Sequence, residues 1–82
     1  MPAANMNRKN NKRELERAQG NIVWAIQHLQ VVYQAFYDTA LDIANSEQDI
    51  PEAYTETMTA LQTTIDAGLE LADFIGKVND SI

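Results

Sequence analysis

The stretch LERAQGNIVWAIQHLQVVYQAFYDTALDI, residues 15–43, decides the fold. Leu15, Ala18, Ile22, Ala25, Leu29, Val32, Phe36, Thr39 and Ile43 follow one another in alternating steps of three and four, the a and d places of a heptad, and only Thr39 is not apolar. From about residue 8 to Asn45 there is no proline and a single glycine, Gly20. The spacing predicts one long helix over about 8–45, about 55 Å at 1.5 Å per residue.

Downstream, NSEQDIPE interrupts the pattern. Asn45 and Ser46 can leave the helix, Asp49 can cap a second one, Pro51 suits its first turn, and Glu52 stands three places after the cap. Beyond it Tyr54, Met58, Leu61, Ile65, Gly68, Ala72, Ile75, Asn79 and Ile82 repeat the three-four spacing, predicting a helix over about 50–79. Thr55, Thr57, Thr59, Thr63 and Thr64 weaken intrinsic helicity here, yet no other segment offers a strand for them to pair with.

A connection of about five residues makes the two helices antiparallel neighbours. The expected fold is therefore all-α, an antiparallel two-helix hairpin. Folding about residue 48 or 49 sets Phe36 near Leu61, Leu29 near Gly68, Ile22 near Ile75 and Leu15 near Ile82. Gly68 then reads as a packing residue, admitting a large neighbour or a close backbone. Residues 1–7, MPAANMN, are small, polar and aperiodic and read as a flexible N-terminal tail, with residues 8–82 as the single helical-hairpin domain.

The first helix carries more apolar surface than one partner can cover. Val23, Ile26, Tyr33, Tyr37, Ala40 and Ala44 lie beside the seam, widening the apolar arc to about 200° where one contact needs about 100°. In the second helix Leu69, Leu71, Phe74 and Val78 do the same. An 82-residue chain with no cysteine also lacks disulfides and thiolate metal sites as sources of stability. Self-association into a helical bundle, as a homodimer or higher homo-oligomer, is the expected remedy. A second protein is the other expected partner, with Trp24, Tyr33, Tyr37 and Phe74 as contact residues, since aromatic side chains dominate binding hot spots.

Catalysis is not expected, nor is a cofactor or metal. His28 is the only histidine, has no acid three or four residues away, and belongs to no Glu-x-x-His pair. No nucleophile motif, phosphate loop or HExxH occurs. Asp38 and Asp42 read as surface charges.

The net charge of −6 is unevenly spread. Residues 1–17 hold Arg8, Lys9, Lys12, Arg13 and Arg17 against Glu14 and Glu16, a net +3, while the remainder sets ten carboxylates against Lys77, a net −9. Glu52, Glu56, Asp66, Glu70, Asp73 and Asp80 share the outer side of the second helix, which reads as a solvated face. Arg8, Lys9, Lys12 and Arg13 read as an electrostatic docking segment. The expected function is a small protein-binding module, an adaptor, assembly component or inhibitor of the kind found in phages and mobile elements. The alternative is a nucleic-acid-binding hairpin dimer using Arg8 to Arg17, against which stand the acidic body and the lack of aromatics among the basic residues. No run approaches the roughly 20 apolar residues of a membrane span and no secretory signal is visible, so a cytoplasmic location is expected.

Overall fold

The computed structural model describes residues 2–82, with side chains from Arg8 onward. Helix α1 spans Pro2–Asn45 and helix α2 spans Glu52–Asp80. They pack side by side as an antiparallel hairpin, a rod of 70 × 14 × 14 Å. The radius of gyration is 19.2 Å, where a compact chain of this length would have about 12 Å. Helix α1 begins six residues before the expected start at about residue 8. Met1 and the side chains of residues 1–7, on which the expected tail falls, lie outside the described residues.

The nine seam positions expected in α2 are all buried or half-buried, with Ile65 and Ala72 the most enclosed. In α1 the seam is displaced. Leu15, Ile22, Leu29, Phe36 and Ile43 face α2 as expected, but their companions are Gln19, Ile26, Tyr33 and Ala40 rather than Ala18, Ala25, Val32 and Thr39. Ala25, Val32 and Thr39 are exposed, whereas Ile26 keeps 4% of its surface. Two heptads share the same five residues, one reached by steps of four then three and the other by three then four. The hairpin buries the one with the larger side chains, because Ile26 and Tyr33 remove more apolar area from water than Ala25 and Val32.

The pairing register is also shifted. A Cβ on Gly68 would meet Ile26 Cγ1 at 3.0 Å and Cδ1 at 3.2 Å, so Ile26, not Leu29, is the large neighbour that this glycine admits. The Phe36 ring packs edge-on against Tyr54 at 5.6 Å, nearer the turn than the Leu61 expected beside it. Gln19 Nε2 donates to the Ala72 carbonyl at 2.9 Å, and a Cβ on Gly76 would stand 2.9 Å from that same nitrogen. Gly76 therefore makes room for a polar bridge between the helices. Residues 48–51 cause the shift: they form no helix and cover up to about 3.3 Å each instead of 1.5 Å, so α2 starts beside a residue well before the end of α1.

The turn itself follows backbone chemistry more than side-chain caps. Glu47 adopts φ 60°, and the Gln48 N–H donates to Ile43 O at 3.2 Å while the Glu47 N–H donates to Ala44 O at 3.1 Å. This pair of bonds is a Schellman motif, which satisfies the last carbonyls of α1. Asp49 does not cap α2. Pro51 occupies the capping position with φ −58° and ψ 139° and no side-chain hydrogen bond, and its carbonyl accepts from the Tyr54 N–H at 3.0 Å. The reason lies in the proline, which drives its predecessor Ile50 out of the helical region and so detaches Asp49 from the first turn. Glu52 remains in that turn, where its charge complements the helix dipole.

These geometries give two predictions. Gly68→Ala is expected to destabilise the hairpin by about 1 kcal/mol, the overpacking against Ile26 outweighing the helix propensity gained. Gly20→Ala, with nothing within 4 Å of the new Cβ, should stabilise by a similar amount, and thermal unfolding followed by circular dichroism separates the two. Glu47→Gly should stabilise the hairpin as well, by about 1 kcal/mol, because it relieves a left-handed non-glycine residue; a Glu47→Val change should destabilise it.

Candidate binding surfaces

A two-helix rod has two broad faces on either side of its seam, and the helical repeat assigns side chains to each. On the first face, α1 presents Val23, Tyr37 and Leu41 and α2 presents Leu69, all exposed. This face holds two shallow grooves. One of about 210 Å³ is lined by Tyr37, Ala40, Leu41, Ala44, Ile50, Thr55 and Met58, and the other runs beside Tyr33, Met58 and Gln62. Asp66, Asp73 and Asp80 border it along α2 and are exposed.

The second face carries the heptad that the hairpin leaves open. In α1 it consists of Ala25, Val32 and Thr39, which are exposed, and half-buried Ala18, and in α2 of Thr64, Leu71 and Val78, which are exposed, and half-buried Thr57. Asn21, His28 and Ala35 flank it on α1, and Ala60, Ala67 and Phe74 flank it on α2. No charged residue stands among these fourteen positions, and the α1 flank ends in Glu14 one heptad before Asn21 and in Asp42 one heptad after Ala35. A shallow groove beside Ala35, Phe36, Thr39 and Tyr54 opens on the same side.

The candidate residues fall on both faces and at one end. Trp24 is 66% exposed at the outer shoulder of the second face, its ring edge-on to His28 at 4.3 Å. Phe74 is half exposed on the opposite shoulder, with Lys77 Nζ 5.5 Å from its ring centroid. Tyr37 opens onto the first face, and Tyr33 is half-buried in the seam at the edge of a groove there. The structure thus separates Trp24 and Phe74 from Tyr33 and Tyr37. Arg8, Lys9 and Arg13 are exposed, and Lys12 is half-buried at the end of the seam. Arg17 pairs with Glu14 at 3.4 Å and Lys77 with Asp73 at 3.3 Å, both solvated pairs of small energetic weight.

Sequence reasoning passed over Val31, the most exposed large apolar residue at 68%, and Gly76. It also passed over Asn79 Oδ1, a buried acceptor with no partner, although Asn79 was already a weak member of the seam. Among the described residues no group of three or more His, Asp or Glu side chains could hold a metal, and no helix is long and apolar enough to cross a membrane. No family model, curated protein or solved structure matches the chain.

Asn79→Leu is expected to stabilise the hairpin by about 1 kcal/mol, since it replaces an unpaired buried oxygen with apolar volume on the seam. Urea denaturation measures this as a raised midpoint at unchanged slope.

Proposed function

We propose that the chain is a non-catalytic protein-binding module that works through its apolar helix faces, first with copies of itself and then with another protein, as an adaptor, assembly component or inhibitor. One observation carries this reading. Among the described residues eleven large apolar side chains are between 41% and 68% exposed, against four buried hydrophobic ones. A soluble chain rarely leaves apolar side chains of this size and number in water on two faces of one rod unless another surface covers them. Trp24 and Phe74 supply the aromatic anchors and Arg8, Lys9, Lys12 and Arg13 an electrostatic docking segment. The lone, exposed His28 and the absence of cysteine support the non-catalytic assignment, and a cytoplasmic setting accords with it.

A second reading, nucleic-acid binding, is favoured by the basic end alone. The observed register sets the end of α2 beside about residue 11 of α1, so Arg8 and Lys9 extend past it. Binding to phosphates through this end would weaken steeply with salt.

Light scattering on the full chain is expected to give a mass above the 9.2 kDa of one copy, with Trp24→Ala shifting the population toward monomer. An immobilised chain should retain a protein that the Trp24→Ala and Phe74→Ala variants release. A monomer that retains no such protein, and instead binds mixed DNA or RNA in a manner abolished by removing residues 1–13, would replace the first reading by the second.

A further inference from the structure

We infer that the occupant of the face carrying Val32 and Leu71 is a second copy of this chain, docked antiparallel so that the basic end of each rod lies against the acidic turn of the other. The inference rests on the protein-binding reading above and names its first partner and geometry.

The surface area points to a pair. The hairpin exposes 6318 Å², whereas a folded monomer of 9.2 kDa exposes about 4,900 Å². The excess, about 1,400 Å² per chain, would bury about 2,800 Å² across a dimer, within the range of obligate homodimers.

The choice of face follows from charge. The face beside Tyr37 and Leu69 borders Asp66, Asp73 and Asp80, so two copies meeting there would bring carboxylates together. The face with Val32 and Leu71 carries carboxylates only at its two ends, at Glu14, which pairs with Arg17, and at Asp42, which an antiparallel partner meets with its basic end; the stretch between them brings none. Its stripe shares Leu15, Ile22, Leu29, Phe36 and Ile43 with the hairpin seam. A helix with two overlapping apolar heptads is built to pack against two neighbours, the arrangement of a four-helix bundle. The small residues at Ala25 and Ala67 permit close approach, while Leu71, Phe74 and Val78 supply apolar area.

The choice of direction follows from the polarity of the rod. At the open end residues 8–17 carry a net +3, from which Asp73, Lys77 and Asp80 of α2 together subtract one. At the turn end Asp38, Asp42, Glu47, Asp49, Glu52 and Glu56 carry six negative charges and no positive one. A parallel pair would set like against like at both ends. An antiparallel pair sets Arg8 and Lys9, which overhang their own α2, beside the partner's acidic turn.

Sedimentation equilibrium of the full chain tests the face, with circular dichroism to confirm that each variant stays helical. Leu71→Glu is expected to weaken the dimer by 100-fold or more, and Leu69→Glu on the opposite face to leave it intact; both residues are already exposed in the hairpin. Added salt should weaken the antiparallel dimer, whereas screening would strengthen a parallel one. Because the chain has no native cysteine, oxidation of single-cysteine variants reads direction. Glu14→Cys should not link to itself but should link to Thr39→Cys when the two are mixed. Dissociation by Leu69→Glu in place of Leu71→Glu, strengthening by salt, or self-linking of Glu14→Cys would each overturn the proposal. A monomer at every concentration would overturn it too, while retention of a different protein in the Trp24-dependent assay would leave the broader reading standing.

Discussion

Two helices lying side by side can hide only one stripe of each, and that geometric limit governs everything else about this chain. The contact of Ile26 with Gly68 is where the limit is felt most sharply: a single branched side chain is set into the space of a missing one. Around it the enclosed set is Ile26, Ala40, Ile65 and Ala72, and among the described residues no large side chain is completely withdrawn from water. Hydrophobic burial of that size has little margin over the entropy of ordering two long helices. The hairpin is better described as a half-built core than as a finished one. Its remaining apolar stripes stay exposed.

Much of this architecture was legible in the chain. Two runs of three-four spacing separated by NSEQDIPE define two helices and an antiparallel turn, and every seam position expected in α2 faces α1. The seam of α1 was harder to read because Leu15, Ile22, Leu29, Phe36 and Ile43 belong equally to two heptads. Periodicity alone does not choose between them. Side-chain size does, since Ile26 and Tyr33 outweigh Ala25 and Val32, and weighing volume as well as polarity would have found the observed pairing. The register shift had no such signal: it depends on how far the extended residues 48–51 carry the chain back along α1. Glu47 concealed the turn for a related reason, because a left-handed helix terminus is usually marked by glycine or asparagine.

The candidate surfaces were legible in kind but not in arrangement. Trp24 and Phe74 could be named from composition, while their placement on opposite shoulders of one face required the rod. Tyr33 and Tyr37 shared a stripe in the sequence, yet one is drawn into the seam and the other left open. Lys12 illustrates the same point among charges. Its half-burial at the end of the seam is consistent with an aliphatic stem covering apolar surface while the ammonium stays in water.

The heptad first read from α1, with Ala18, Ala25, Val32 and Thr39, gains a physical meaning once it proves not to be the hairpin seam. A helix packed against one neighbour needs one such stripe, and a surface helix exposed to water on its other sides would carry charges there. The outer side of α2 does so, at Glu52, Glu56, Asp66 and Glu70. Between that solvated side and the seam, α2 instead presents Thr57, Thr64, Leu71 and Val78, in register with the uncharged stripe of α1. Charge has been kept off the middle of one face of both helices, between Glu14 and Asp42 of α1, in a chain whose net charge is −6. Solubility alone would not keep it from that one face. A desolvated contact would, since a carboxylate buried there without a partner would cost more than the apolar area around it returns.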